Sequence, residues 1–420
     1  MTRSAWALAF TVALFGPVAL RAFSAEEQGL AKEIITVTGL LALSLLVCSV
    51  ILPSRVRSIT QAFGIESVLS GHAFLGACTG VASLAHVSAV IVADPASVGL
   101  LDPFTGPGRS MAGLISTLAV VYTVIASAFR DKGDYERWRW AHVALALISL
   151  LGAAVHVWLI GHLIHDVAMA SLMALMALSV FAVLLNRWLV QPMSNDGEFI
   201  VKRVEKPAPD VSTITLRPRS KHAPWKFKAG QFAWMRLERG PLGEEHPFTI
   251  SSSEQDGLAP QFTIRHAGDW TTGPLARLRV GDRVWLSGPH GRMTPETTSA
   301  GFVMIAAGVG MTPMISILRT LANARDPRPI VAFICDRPGE SLFAEEMEAL
   351  TRVLRLHVQR VAGRRITPEV LDEQLPHSPF VREQLEYLVC GNPRLVHDSK
   401  QALHDIHIPE NRIKSELFNA

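Results

Sequence analysis

The sequence predicts a multi-domain chain: a six-helix transmembrane bundle, then a small antiparallel β-barrel, then an α/β domain with a parallel sheet. Three observations predict it. Six apolar runs long enough, or nearly so, to cross a bilayer crowd into the first half of the 420 residues. Short stretches rich in β-branched and aromatic residues follow, broken by Gly and Pro turns. From Phe302 the pattern changes to strand, glycine turn and helix in alternation. A composition that is 49% hydrophobic is too apolar for an ordinary soluble protein, and a formal charge of +3 gives no case for nucleic acid as a partner. Cys48 and Cys78 fall in apolar runs, while Cys335 and Cys390 lack metal-ligand spacing, so no disulfide framework is expected.

The apolar runs cover residues 5–23, 34–52, 68–93, 111–129, 141–160 and 167–185. The first reads either as a span or as a cleaved signal peptide. Arg21 near its far end and the poor cleavage context at Phe23 favour a span. Positive charge then sets the orientation. Arg55 and Arg57 follow the second run, Arg130, Lys132, Arg137 and Arg139 the fourth, and Arg187 the sixth. The alternate loops are poorer, with Glu26, Glu27 and Lys32 in one and Asp94, Asp102 and Arg109 in the next. The expectation is a multi-pass protein of the plasma (inner) membrane with both termini cytoplasmic.

The third and fifth runs each keep two histidines, and the spacings agree: 86 − 72 = 14 and 156 − 142 = 14. Ionisable side chains inside a membrane are costly and mark function by default. Fourteen helical steps return to within about 40° of the starting face and climb roughly 21 Å. Two such ladders face each other as His72–His142 near the inner leaflet and His86–His156 near the outer one. Imidazole pairs across helices are what haem iron takes as axial ligands. The bundle is therefore read as binding two stacked b-type haems. The alternative is four packed or pore-lining histidines with hydrogen-bonding neighbours. Trp138 and Trp140 fit an interfacial belt. The cytoplasmic arginines serve topology or pair with haem propionates, and His162 and His165 are interface residues or line an electron exit.

Beyond Gln191-Pro192, the expected barrel strands are 199–204, 212–216, 232–237, 248–252, 261–266 and 283–287. Parallel strands are expected at 302–307, 330–335, 356–361 and 387–390, and helices at 313–325, 341–354, 368–374 and 393–404. This divides the chain at 1–192, 193–298 and 299–420. Two stretches look chemical. Gly308-Val309-Gly310-Met311-Thr312-Pro313 joins the first parallel strand to its helix, where bare backbone and a helix start suit a pyrophosphate; a plain turn explains it equally well. His246-Pro247-Phe248-Thr249-Ile250-Ser251-Ser252 alternates hydroxyl and aromatic positions, which bind a planar ring or face a core.

These motifs carry a resemblance. His246 to Ser252, then Ile264-Arg265 with Gly268-Asp269-Trp270-Thr271-Thr272, then the 308–313 turn, then Cys390-Gly391 resemble the ferredoxin-reductase-type module of the ferric reductase and NADPH oxidase superfamily. The four ladder histidines resemble its two-haem membrane domain, with bacterial NADPH oxidases and ferric-reductase-like relatives nearest. The resemblance implies an FAD-binding barrel and an NAD(P)-binding α/β domain. Phe248 and Thr249 would contact the flavin, with His246, Pro247 and Ser251 in its site. Arg265, Trp270, Thr271 and Thr272 would hold FAD phosphates or ribityl. Gly308, Gly310 and Thr312 would hold the pyrophosphate of NADPH or NADH. Cys390 would sit beside the nicotinamide, with Glu416 and Phe418 by the flavin. Asn392 stands where the pattern has proline. Asp336 would meet a ribose hydroxyl, while Arg337, Arg364 and Arg365 would attract a 2′-phosphate, so both coenzymes are expected to work with NADPH modestly favoured. The implied activity is transmembrane electron transfer from cytosolic NAD(P)H through FAD and two haems to an outside acceptor. That acceptor is dioxygen, giving superoxide, or alternatively a ferric or other metal chelate. A reading from another class is a haem-free anchor or a transport or sensing module fused to a flavin reductase. No obligate protein partner is evident.

Overall fold

The computed structural model describes residues 2–23, 29–130, 134–161, 163, 166–193, 197–219, 225–240, 243–336, 342–361 and 365–418. Glu26, Glu27, Lys132, His162, His165, Arg337 and Arg364 lie outside the described residues. The chain divides into two compact units, Met1–Trp188 and Leu189–Ala420.

The first unit is helical: α1 (Arg3–Ala22), α2 (Leu30–Ile51), α3 (Arg57–Phe63), α4 (Ile65–Ala93), α5 (Gly108–Ala128), α6 (Tyr135–Ile160) and α7 (Val167–Leu185). Six of these are long and apolar enough to cross a membrane, and short α3 is the exception. The chain is a multi-pass membrane protein. Leu8, Phe74, Val81, Leu151, Leu175 and Phe181 point outward from their helices, as side chains solvated by lipid would. Most helices begin a few residues before the apolar runs, and polar side chains cap two of these, Thr2 ahead of α1 and Asp134 ahead of α6. Asp134 accepts from the Glu136 and Arg137 amides ahead of α6, a cap worth about 1 kcal/mol. Gly161, at φ +76°, closes the same helix. Arg21 forms an ion pair with Glu33 of α2, which neutralises a charge at the end of the first span. The apolar pattern gave no sign of α3, seven residues capped by Gly64. Within the unit α4 packs chiefly along α2, and α6 along α5.

The second unit opens with a short turn, α8 (Gln191–Met193), and then carries two sheets. The first is antiparallel, built from β1 (Glu198–Ala208), β2 (Val211–Pro218), β3 (Phe232–Arg236), β4 (His246–Thr249), β5 (Gln261–Arg265) and β6 (Arg283–His290). Its order is β4-β3-β6-β1-β2-β5. The sheet curls, and its two edges are joined by a single bridge between Ile250 and Phe262. Phe199, Ile214, Met235, Phe262 and Val284 fill its interior. A turn, α9 (Asp269–Thr272), precedes β6.

The second sheet is parallel: β7 (Gly301–Ala306), β8 (Ile330–Ile334), β9 (Leu356–Arg360), β10 (Leu385–Gly391) and β11 (Ile413–Leu417), in the order β11-β10-β7-β8-β9. Central β7 is buried at every residue, which matches its unbroken apolar run. Helices α10 (Met311–Asn323), α11 (Ala344–Thr351), α12 (Pro368–Asp372), α13 (Pro379–Arg382) and α14 (Pro393–Asp405) connect the strands. All four expected parallel strands are present; β11 is additional. Arg319 of α10 ties the two sheets together. It grips Glu346 through two bonds of 2.6 and 2.8 Å and donates to the Ser251 carbonyl at 2.8 Å.

Candidate functional site

The ladder histidines meet in the expected pairs. His72 and His142 have ring centroids 5.8 Å apart, and His86 and His156 6.2 Å apart. Neither α4 nor α6 packs chiefly on the other, so the imidazoles reach across a gap. Each ring is oriented from behind through Nδ1. His72 Nδ1 meets the Ser49 carbonyl at 2.8 Å, His86 Nδ1 the Ile35 carbonyl at 3.0 Å, and His156 Nδ1 the Arg109 carbonyl at 2.6 Å. A carbonyl only accepts, so these three contacts put the proton on Nδ1 and leave the Nε2 lone pair free. His142 Nδ1 meets the Ser127 hydroxyl at 3.4 Å. Glycines make room for two of the rings. A Cβ on Gly113 would stand 2.8 Å from His156 Nδ1, and one on Gly39 3.0 Å from the His86 ring.

At the edge of the curled sheet, β4 presents His246, Pro247, Phe248 and Thr249. Pro247 is exposed and Thr249 buried. The Phe248 ring stacks on Trp270 at 5.7 Å, and the His246 ring lies 4.4 Å from the same indole. The Trp270 side chain thus packs into the sheet's core, while Asp269 and Thr272 of α9 are exposed. Thr271 and Thr272 spend their hydroxyls on that turn: Thr271 accepts from the Ala267 and Gly268 amides, and Thr272 donates to the Gly268 carbonyl. Thr249 Oγ1 is different, being buried without a hydrogen-bond partner among the described residues. Such an atom costs stability unless a ligand satisfies it. Ser251 lies at the seam between the sheets, its hydroxyl 3.2 Å from Thr263 Oγ1. Arg265 pairs with Asp210 at 3.2 Å and reaches the glycine turn, 3.3 Å from where a Gly308 Cβ would stand.

That turn follows β7. Gly308 has φ +54°, a backbone region that favours glycine, and its amide donates to Asp336 Oδ1 at 2.5 Å. A Cβ on Gly310 would fall 2.5 Å from the Cys390 carbonyl. Thr312 turns its hydroxyl back to the Val309 carbonyl at 2.7 Å. Cys390 is buried in β10 between Ala306 of β7 and Glu416 of β11, both in register with it. Phe418 donates its amide to the Gly391 carbonyl and packs on the core of the parallel sheet. A Cβ on Gly291 would meet Glu416 Oε1 at 3.0 Å, so the carboxylate reaches the end of the curled sheet. Glycine turn, Cys390, Glu416 and Phe418 therefore converge on one end of the module. Arg365 is occupied elsewhere, 3.4 Å from Asp398. Burial and neighbouring Asp336 push the Cys335 thiol up to about 12, so it stays protonated and inert.

This arrangement defines a membrane-embedded oxidoreductase with a flavin- and nicotinamide-nucleotide module. Comparison with known families agrees. Residues 38–153 match the ferric reductase like transmembrane component, residues 201–292 an FAD-binding domain, and residues 304–401 the oxidoreductase NAD-binding domain. The chain carries the domain set of the ferric reductase and NADPH oxidase superfamily, with a ferredoxin-reductase-type module. It is similar to the ferredoxin reductase component of 3-ketosteroid-9-alpha-monooxygenase from Rhodococcus rhodochrous, at 25% identity over 229 residues. That match covers 52% of this chain and 63% of the relative. A flavohemoprotein of Bordetella pertussis is 27% identical over 242 residues, covering 52% of this chain and 60% of its own length. The chain thus spans about six tenths of these curated relatives. Flavohemoglobin from Malassezia yamatoensis, solved with bound FAD and heme, superposes with a TM-score of 0.51 at 18% identity. It covers 93% of this chain and 99% of its own, a likeness of fold alone.

Proposed function

We propose that the protein moves electrons from cytosolic NAD(P)H through FAD and two b-type haems to an acceptor across the membrane, with dioxygen reduced to superoxide. One observation carries the reading: two facing imidazole pairs whose Nδ1 atoms are all engaged from behind, leaving Nε2 atoms for a metal. The pairs also fit by size. Metal–imidazole bonds of about 2 Å put facing nitrogens roughly 4 Å apart, and ring centroids at 5.8 and 6.2 Å accommodate that. Flavin supplies conversion of a hydride donor into single electrons, and the haems supply a one-electron path.

The chain's residues hold and orient. His72 with His142, and His86 with His156, are the proposed iron ligands. Thr249 offers the buried hydroxyl and Phe248 the flat ring of a flavin site that includes His246, Pro247 and Ser251. Arg265 and the backbone of Trp270, Thr271 and Thr272 lie where FAD phosphates would bind. Gly308, Gly310 and Thr312 shape the coenzyme's phosphate turn, and Cys390, Glu416 and Phe418 border the hydride-transfer position. We place the domain boundaries after residues 192 and 298, close the curled sheet into a barrel, and put both termini on the cytoplasmic side of the plasma (inner) membrane. Arg55, Arg57, Arg137 and Arg139 support that side.

The test is the absorption spectrum of the purified, detergent-solubilised protein. Two b-type haems per chain are expected, reduced by NADPH. A colourless membrane unit beside an active flavin reductase would sink the proposal in favour of a haem-free anchor.

A further inference from the structure

The helix behind each ladder carries the groups that orient it. On α2 the two acceptors, Ile35 and Ser49, have the ladder's own spacing: 49 − 35 = 14. On α5 the partners are Arg109 and Ser127, and 127 − 109 = 18. The carbonyl with matching spacing on α5 is that of Thr123, since 109 + 14 = 123. That carbonyl already accepts the Ser127 hydroxyl at 2.7 Å. With its proton committed there, Ser127 Oγ can only accept from His142 Nδ1. His86 has the Thr38 hydroxyl at 3.5 Å beside its carbonyl, but behind His142 a hydroxyl relay stands in place of the carbonyl that the other three histidines have, and its 3.4 Å reach is longer than any of those three carbonyl contacts.

We infer that Ser127 is a positioning residue for His142 that fixes its tautomer and sets the reduction potential of the His72–His142 haem. The inference rests on the haem reading above. An acceptor behind a ligating imidazole draws on the Nδ1 proton and makes Nε2 a better electron donor, which favours ferric iron and lowers the potential. Both rings of the His86–His156 pair have carbonyl partners, at 3.0 and 2.6 Å. The His72–His142 pair has one carbonyl and the weaker hydroxyl, so this term makes its haem the easier of the two to reduce.

The test is a potentiometric titration of the full-length protein, following the haem bands, with haem per chain counted alongside. Ser127→Ala leaves His142 Nδ1 without its acceptor. One midpoint of the two should rise, with at least a threefold change in the reduced-to-oxidised ratio at fixed potential, about 30 mV at 59 mV per decade for one electron. Ser127→Thr keeps the hydroxyl and should restore the wild-type midpoint. The low-spin ferric resonance of the same haem should move with Ala and not with Thr. Two haems whose midpoints ignore Ser127, shift together, or fall in the Ala variant would overturn this inference alone. If Ser127→Ala does not accumulate, Ser127→Asn decides: its carbonyl should lower the same midpoint, and no shift would overturn the inference. A chain without haem would overturn the proposed function and this inference with it.

Discussion

Gly310 rests directly against Cys390: a Cβ on the glycine would stand 2.5 Å from the Cys390 carbonyl oxygen. The φ of Gly310 is an ordinary −61°, so the constraint is space and not torsion. Gly310→Ala must push the 308–313 turn away from β10, an overpacking cost of about 1–3 kcal/mol. With ferricyanide as acceptor, KM for NAD(P)H should rise about tenfold, roughly 1.4 kcal/mol, while bound FAD is unchanged. Wild-type kinetics in this variant would remove the turn from the coenzyme site.

His156→Ala should lower haem from two per chain to one and stop electron delivery across the membrane, while NADPH still reduces flavin and the remaining haem. Gly113→Val should do the same from the neighbouring helix, because its Cβ would press within 2.8 Å of His156 Nδ1. His142→Ala should break the path one step earlier. Two bis-histidine haems persisting in both histidine variants would show the pairing to be wrong.

How much of this was legible in the sequence depends on which contacts a residue needs. The ladder could be read because its signal is a spacing within one helix. The groups behind it, Ile35, Ser49, Arg109 and Ser127, could not, because they matter only once α2 is known to lie on α4 and α5 on α6. Three of them act through backbone carbonyls, which leave no residue signature. Strand β11 was missed for a related reason. Ile413-Lys414-Ser415-Glu416-Leu417 is a half-exposed edge with charges in it, and only pairing with β10 makes it a strand. That pairing is what puts Glu416 opposite Cys390. Trp270 was read for its place beside a polar turn, yet its indole is the large apolar group of that turn and goes to the core, where burial gains most.

Asp336 should govern coenzyme choice. Its Oδ1 accepts from the Gly308 amide, and its Oδ2 is buried without a hydrogen-bond partner among the described residues. A carboxylate there repels a 2′-phosphate. Arg337 and Arg364, close by in the sequence pattern, attract it, so the wild type should use both coenzymes, with NADPH modestly favoured. Asp336→Asn should raise the NADPH-to-NADH ratio of kcat/KM about tenfold, roughly 1.4 kcal/mol. An unchanged ratio would place the 2′-position away from Asp336.

Outward electron flow should feel the membrane potential. A full crossing is worth about 2.3 kcal/mol per charge per 100 mV. In sealed vesicles turnover should slow as uncompensated charge accumulates, and a potassium ionophore should restore it. Indifference to the ionophore while charge flow limits turnover would count against transfer across the bilayer.

The proposed coordination bears on how an acceptor would take its electron. If His72 and His142 hold one iron and His86 and His156 the other, as proposed, neither metal would keep an open position. Dioxygen would then take its electron at the edge of a haem without binding iron, which would favour one-electron reduction to superoxide over chemistry on a held oxygen. A ferric chelate could use the same edge, so chemistry alone does not choose. On the proposed reading, NADPH should drive cytochrome c reduction that superoxide dismutase suppresses, with carbon monoxide nearly without effect. Strong carbon monoxide inhibition with a shifted haem spectrum would reveal an open iron and overturn the bis-histidine assignment. Fast anaerobic ferric-chelate reduction with negligible superoxide in air would instead make the protein a ferric reductase.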